Sequence, residues 1–296
     1  MISVLQLGTI DYGTGVRLQE QLVTLRKEGR IGDALLLLEH TPVITLGRNS
    51  HSENILASPE LLAKRGVEVF ECDRGGDVTF HGPGQLVAYP IFDLRGLPSQ
   101  NANRNSMGVI EFVRNLEEVL IRTCAEFGIA TKRIAGLTGV WAEANATSDD
   151  AESSTQPDPS TSLRAGSQGF PSPHGPKSGQ TSAEEAKIAA LGVHISRGVT
   201  SHGVALNVNT DLTFFNLIVP CGITAKPVTS IAQELSREVP MQDVAHVLAR
   251  NFGTVFSSQI LWLDSLDALL GKNIGVPMSP PENLRKLHGE DDIAFA

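Results

Sequence analysis

Cysteine is scarce in this chain: 296 residues include three, Cys72, Cys124 and Cys221, with no CxxC pair among them. So small, odd and scattered a set excludes a disulfide framework and suits a reducing compartment. Positive charge is short as well. Lys and Arg number 24 against 33 Asp and Glu, a formal net charge of −9, which argues against a nucleic-acid binder of the basic-surface kind. No apolar run reaches the length that spans a bilayer, and Met1 to Leu5 open as a strand without a basic leader. The reading is a soluble cytoplasmic protein with neither nucleic-acid nor membrane partner. A P-loop for cradling phosphates is missing too. What is present, at 41% hydrophobic content, can bury one large core or two small ones.

The most unusual stretch is Arg74-Gly75-Gly76-Asp77-Val78-Thr79-Phe80-His81-Gly82-Pro83-Gly84-Gln85. Four glycines and a proline in twelve residues free the backbone for unusual dihedrals and let a ligand approach the main chain. Strand-like runs flank it, Val67 to Phe70 before and Leu86 to Phe92 after, so it reads as a loop or kinked strand on a rigid sheet. A plain hairpin with a bulge has the same glycines, but no need of Arg74, Asp77, Thr79 and His81 together.

Along the rest of the chain, Tyr12 to Glu28 is periodic as a helix through Leu18, Leu22 and Leu25, and Gly29 stops it. Ala34 to His40 is short and uniformly apolar, as suits a strand buried on both faces. Val43 to Arg48 reads as a further strand, and Ser58-Pro59 starts a short helix that Gly66 ends. The longest helix is expected from Ser106 to Phe127, with Ile110, Val113, Leu116, Leu120 and Cys124 on one stripe. Strands follow at Ile129 to Ile134 and at Gly139 to Ala142. From about 144 to 185 large apolar side chains almost vanish, which predicts a disordered insertion within one domain. Ile188 to Ile195 and Gly198 to Val208 then read as a strand pair turning near Arg197. Ser230 to Gln233 has capping-box spacing, and Pro240 opens a helix through Phe252 with Val244, Val247 and Leu248 inward. The expected division is a single domain over 1–255 and a C-terminal tail over 256–296, with Trp262, Leu263 and Leu266 in a small helix.

Two residues invite chemistry. Cys221 lies between Pro220 and Gly222, where open backbone can offer N–H groups to an oxyanion, though a lone thiol is equally at home as packing. A thiolate nucleophile needs a base or a cation beside it. His81, His202 and Lys187 are available. Lys187 follows forty polar residues and immediately precedes Ile188-Ala189-Ala190-Leu191, so it is either a desolvated amine near a thiolate or an edge charge that discourages aggregation. Cys72, His81, His202 and Cys221 lack the short spacing of a zinc motif, and no metal is expected.

Arg74 to Gln85, Leu137-Thr138-Gly139-Val140-Trp141, Lys187 to Gly192, Ser201-His202-Gly203-Val204-Ala205-Leu206-Asn207-Val208 and Ile218-Val219-Pro220-Cys221-Gly222-Ile223 together closely resemble the octanoyltransferase family, also called lipoyl(octanoyl) transferases or lipoate-protein ligase B. The motifs keep the family's order from Leu38-Glu39-His40 to about Leu235. The resemblance implies an α/β (α+β) fold like the biotin and lipoate protein ligases, a central mixed β-sheet with flanking helices. It also implies transfer of octanoyl from octanoyl-acyl carrier protein to a lysine of a lipoyl domain, through an acyl-thioester on the enzyme and without a cofactor, as the first step of endogenous protein lipoylation. The implied acceptors are the lipoyl domains of 2-oxoacid dehydrogenase complexes and the glycine cleavage H protein. Carried over by position, Cys221 is the nucleophile and Lys187 the group that depresses its pKa and shuttles protons. Arg74, Gly75, Gly76, Asp77, Val78, Thr79, Phe80, His81, Ala190, Leu191, Gly192, Gly203, Val204 and Ala205 match the substrate-binding segments. Such small residues suit a slot for an eight-carbon chain, whose burial contributes about 5 kcal/mol at ~0.8 kcal/mol per methylene.

Two features depart from the family pattern: the long insertion before Lys187, and an acidic total although acyl carrier protein is itself acidic. A local basic approach surface involving Arg48, Arg74, Lys132, Arg133 or Arg197 is therefore expected. The competing readings are an ATP-dependent lipoate or biotin ligase on the same fold, which has no need of Cys221, a cysteine hydrolase, and a catalytically silent relative that binds acylated proteins.

Overall fold

The computed structural model describes residues 1–99, 103–143, 185–220 and 226–271. Within them an eight-stranded mixed sheet is flanked by helices, and a three-stranded sheet stands beside it. In chain order the elements are β1 (Ile2–Ile10), α1 (Tyr12–Lys27), β2 (Asp33–His40), β3 (Val43–Leu46), α2 (Pro59–Lys64), β4 (Glu68–Glu71), β5 (Thr79–His81), β6 (Gln85–Ile91), α3 (Val109–Glu126), β7 (Thr131–Ile134) and β8 (Leu137–Ala142). They continue with β9 (Ala186–Ser196), β10 (Val199–Asn207), α4 (Ile231–Leu235), α5 (Met241–Val255), β11 (Ile260–Leu263) and α6 (Leu266–Leu270). The large sheet runs β11-β1-β2-β6-β10-β9-β8-β7, parallel among its first three strands and antiparallel thereafter, and the small one runs β4-β3-β5.

β2 is covered on both sides, as its sequence requires. Leu35 and Leu37 enter the core beneath α3 and α5, and Ala34, Leu36 and Leu38 the core beneath α1, because side chains alternate across a strand. Leu18, Leu22 and Leu25 of α1 supply the second of these cores, and the Asp11 carboxylate caps that helix by accepting from Thr14 N–H at 2.8 Å. A third core joins the small sheet to the 212–217 helical turn through Ile44, Val78, Phe80 and Phe215.

The inward stripe of α3 differs from the sequence reading. Phe112, Leu116, Val119, Leu120 and Cys124 are buried, whereas Ile110 is 79% exposed. Steps of three residues from 110 to 113 to 116 rotate the face by about 60° each, while the alternation of threes and fours from 112 holds it still. Desolvation pushes the Cys124 thiol up to about 12, so it is a small core residue.

At the other end, Trp262 and Leu263 lie in β11 rather than a helix, and β11 pairs in parallel with β1 from Ile2↔Ile260 to Leu5↔Leu263. The sheet thus runs beyond residue 255; only the Leu266 part is helical. Residues 144–184 of the expected insertion and 272–296 of the expected tail lie outside the described residues. No helix among the described residues is long and apolar enough to cross a membrane.

Candidate active site

β9 begins with an irregularity that decides where Lys187 points. Val140 pairs with Ala189, yet the next residue of β8, Trp141, pairs with Lys187, so Ile188 is an extra residue in β9. The bulge puts Ile188 and Ala189 in the same core, under α3, and turns Lys187 to the opposite face beside Ala190 and Ala205. Lys187 is 8% exposed in mid-sheet, which removes the edge-charge reading. Its backbone is tied down on the far side, where Lys187 N–H donates to Pro227 O at 2.8 Å and Thr229 N–H to Lys187 O at 2.9 Å.

Its side chain is enclosed by the Leu137–Trp141 motif. The ammonium lies 5.3 Å from the centroid of the Trp141 ring, a cation–π distance. Gly139 leaves the room: a Cβ there would stand 2.6 Å from Lys187 Cε, and its φ of +133° bars other residues in any case. The sequence offered the motif but not this reason for its glycine.

Lys187 lines a small cavity together with Gln85, Asn207, Phe215, Pro220 and Val228. Thr79, Ala190 and Ala205 belong both to it and to a larger one, with about 450 Å³ of empty space including its mouth. Arg74, Gly76, Asp77, His81, Leu191, Gly192, Gly203 and Val204 complete the larger lining from the expected set, joined by Tyr12, Val87, Tyr89 and His202. The wall is mostly apolar, as a ligand slot is. Of the expected residues, Gly75 gives its N–H to Val193 O, while Val78 and Phe80 turn into the third core, since alternation in β5 sends Thr79 and His81 to the cavity and Phe80 away. The chain's two tyrosines both line the cavity, a use that composition hinted at only through their rarity. Cys221 and Gly222 lie outside the described residues; Pro220, the covalent neighbour of Cys221, is inside them.

Gln85 and Asn207, beside the cavity, are fixed by partners. Gln85 Nε2 donates to Phe80 O at 3.2 Å and to Asn207 Oδ1 at 2.9 Å, which leaves its Oε1 to accept from His81 Nδ1–H at 2.7 Å. Asn207 Nδ2 in turn donates to Thr229 O at 2.9 Å, beside the bond that holds Lys187. Burial, then the charges of His40 and Arg74, push the His81 imidazole down to about 3, so it is neutral and a poor base near pH 7. His202 is also lowered, chiefly by desolvation. Among the described residues no group of three or more His, Cys, Asp or Glu is arranged to hold a metal.

The expected basic surface is smaller than its sequence suggests. The buried Arg74 guanidinium donates to Thr45 Oγ1 and Thr45 O, at 2.8 Å and 2.7 Å, and so braces the glycine-rich loop against β3. Lys132 pairs with Glu185 at 2.7 Å, and Arg133 with Glu117 and Glu118 at 3.0 and 2.9 Å. Arg48 and Arg197 remain exposed, with no ion pair among the described residues.

Residues 11–253 match the family described as the lipoyl protein ligase A/B catalytic domain. Relatives named octanoyltransferase include one from Koribacter versatilis, 53% identical and aligned over 99% of each chain. Another, from Acidobacterium capsulatum, is 52% identical over 91% of this chain and 96% of that one. Among solved structures, a bi-partite lipoate protein ligase from Thermoplasma acidophilum superposes with a TM-score of 0.58 at 14% identity, covering 96% of this chain and 89% of that one. A lipoate-protein ligase A bound with ATP gives 0.57 at 14%, covering 96% and 91%. At that identity the two structures show a shared fold.

Proposed function

Because the chain belongs to the octanoyltransferases of the lipoyl protein ligase A/B family, and is therefore an acyltransferase, we propose that it carries octanoyl from the phosphopantetheine thioester of acyl carrier protein to a lipoyl-domain lysine by way of Cys221. The acceptors are the lipoyl domains of 2-oxoacid dehydrogenase complexes and the glycine cleavage H protein. In the first half, the Cys221 thiolate adds to the thioester carbonyl and the bond to the pantetheine sulfur breaks. That sulfur takes the proton Lys187 received from the thiol. In the second half, the acceptor amine attacks the new thioester, the Cys221 sulfur leaves, and the ammonium proton returns through Lys187. A thioester becomes an amide, so no ATP is consumed.

The observation that supports this best is the bulge at Ile188. It turns Lys187 into the cavity that Pro220 also lines, and that cavity adjoins a slot floored by Ala190, Gly192, Gly203 and Ala205. The amine and the covalent neighbour of the thiol thus share one end of an apolar slot. Burying an alkyl chain there contributes ~0.8 kcal/mol per methylene. Of the five cations expected at a basic approach surface, Arg48 and Arg197 are exposed and outside any ion pair among the described residues, and reversing either charge weakens the donor interaction most at low salt.

Intact-protein mass spectrometry after mixing with octanoyl-acyl carrier protein tests the reading. One octanoyl mass is expected on Cys221, absent in Cys221→Ala. Lys187→Met is expected to fold normally and lose about 10²- to 10⁴-fold in rate, the usual worth of positioned proton transfer. An active Cys221→Ala enzyme would refute the covalent route and favour ATP-dependent ligation.

A further inference from the structure

The cavity has a fastening that the reaction above does not use. Asp73 stands just ahead of the glycine-rich stretch and outside the cavity lining, and each of its carboxylate oxygens takes an imidazole: Oδ1 accepts from His202 Nε2 at 2.7 Å, and Oδ2 from His194 Nδ1. A carboxylate can only accept, so both nitrogens carry the proton. Arg48 can only donate, so its 3.0 Å contact makes His194 Nε2 the lone-pair nitrogen.

His202 is set up for this contact at a conformational cost. It is buried and has φ 54°, in the left-handed region that non-glycine residues rarely adopt. Its backbone N–H donates to Gln19 Oε1 at 2.6 Å, so α1 holds it from behind. Val193 faces it across the strand pair and accepts from Gly75 N–H at 3.1 Å. Side-chain and backbone bonds therefore form one short seam between the glycine-rich loop and the β9–β10 hairpin.

The loop's other ties run the opposite way. Arg48 N–H donates to Arg74 O, Asn49 N–H to Gly76 O, and the Arg74 guanidinium to Thr45, all on the β3 side. Without Asp73 the Arg74–Asp77 end of the loop stays fastened to the small sheet but has, among the described residues, only the Gly75–Val193 hydrogen bond to the hairpin, while the far end is held by Gln85 to Asn207. We propose that Asp73 is a positioning residue: through His202 and His194 it clasps the loop to the hairpin and holds the acyl slot closed along that seam. This rests on the larger cavity being the acyl slot. Burial raises the Asp73 carboxyl, but its hydrogen bonds and electrostatic interactions with His202 and His194 outweigh this and hold it below the usual carboxylate value.

The test uses the full-length protein with Asp73→Ala and Asp73→Asn, both at a side chain 56% exposed, where replacement spares the core. With octanoyl-acyl carrier protein as donor, Asp73→Ala is expected to raise KM about tenfold with kcat within about twofold, and Asp73→Asn, which still accepts from one imidazole, to fall between. Amide exchange at Gly75, measured without substrate, is expected to quicken about tenfold in Asp73→Ala while Leu36 in β2 is unchanged. Unaltered KM and Gly75 exchange would overturn the proposal. So would equal acceleration at Gly75 and Leu36, since that reports loss of fold rather than of a clasp. Full activity of Lys187→Met would sink the catalytic reading instead, and the substrate-free exchange would still decide whether the clasp exists.

Discussion

The two walls of the larger cavity are held by different forces. The β9–β10 wall is backed by Phe112, Leu116 and Leu248 in the core under α3 and α5, and its cavity face sets the small residues Ala190, Gly192, Gly203 and Ala205 beside Leu191, His202 and Val204. The glycine-rich wall has little apolar backing at its Arg74–Asp77 end, and is positioned by the Arg74 guanidinium, three backbone hydrogen bonds and the Asp73 clasp. Apolar burial is non-directional and worth about 1.5–3 kcal/mol per large side chain, so the first wall is stiff. Polar contacts are directional and individually worth about 0.5–1.5 kcal/mol, so the second is the wall that can be loosened one bond at a time.

Phe112→Ala attacks the stiff wall from behind and is expected to have the largest effect on stability, about 3–5 kcal/mol, since Phe112 is fully buried against Phe92 and Phe256. Urea unfolding would check it; a loss below about 1 kcal/mol would break the contrast between the walls. Gly192→Ala attacks the junction. A Cβ at 192 would stand 2.7 Å from Gly75 O, so the loop must move, with an expected cost of about 1–3 kcal/mol and a raised KM for the acyl donor. Should Gly192→Ala leave both untouched, the walls do not meet as closely as described.

A pH series sharpens the same contrast, because the polar side holds neutral histidines. Burial pushes His40 down to about 4 and His81 to about 3, from an ordinary 6.5. As pH falls below about 6.5 the unfolded chain takes up these protons and the folded chain does not, so stability drops with falling pH until the folded values are reached. Each group contributes a slope of about 1.4 kcal/mol per pH unit in that window. His40→Gln is expected to remove one proton's share of the slope between pH 6 and pH 5, measured by urea unfolding. The smallest effect belongs to Ile110→Ala, within about 0.5 kcal/mol, because Ile110 lies on the solvent side of α3. A loss like that of Phe112→Ala would mean the exposed and buried stripes have been interchanged.

Much of this was legible beforehand. Leu18, Leu22 and Leu25 predicted α1, the uniform run Ala34 to His40 predicted a strand covered on both faces, and the Ser58 and Ser230 hydroxyls cap the helices their spacing announced. The glycine-rich stretch stood out in the sequence, and Arg74, Gly76, Asp77, Thr79 and His81 of it line the larger cavity, whereas strand alternation turns Val78 and Phe80 into the third core. Tyr12 and Tyr89 escaped notice because nothing local distinguishes a cavity-lining tyrosine from a core one. On α3 the expected Leu116, Leu120 and Cys124 are buried, while Ile110 is exposed and Val113 half-buried, because composition does not say which of two nearby apolar stripes meets the sheet.

By itself the sequence determined which segments are apolar enough to form the sheet and its helices, and which motifs mark a member of this family. Only the tertiary structure decided that Lys187 faces the small cavity beside Pro220, since one extra residue at Ile188 reverses the side on which an amine emerges and pairing registers depend on strands far apart in sequence. It also decided that Asp73 meets His194 and His202, partners more than a hundred residues away, and that Arg74 is a brace rather than a surface charge. Local propensity acts over a few residues, whereas these contacts exist only once distant strands have been brought side by side.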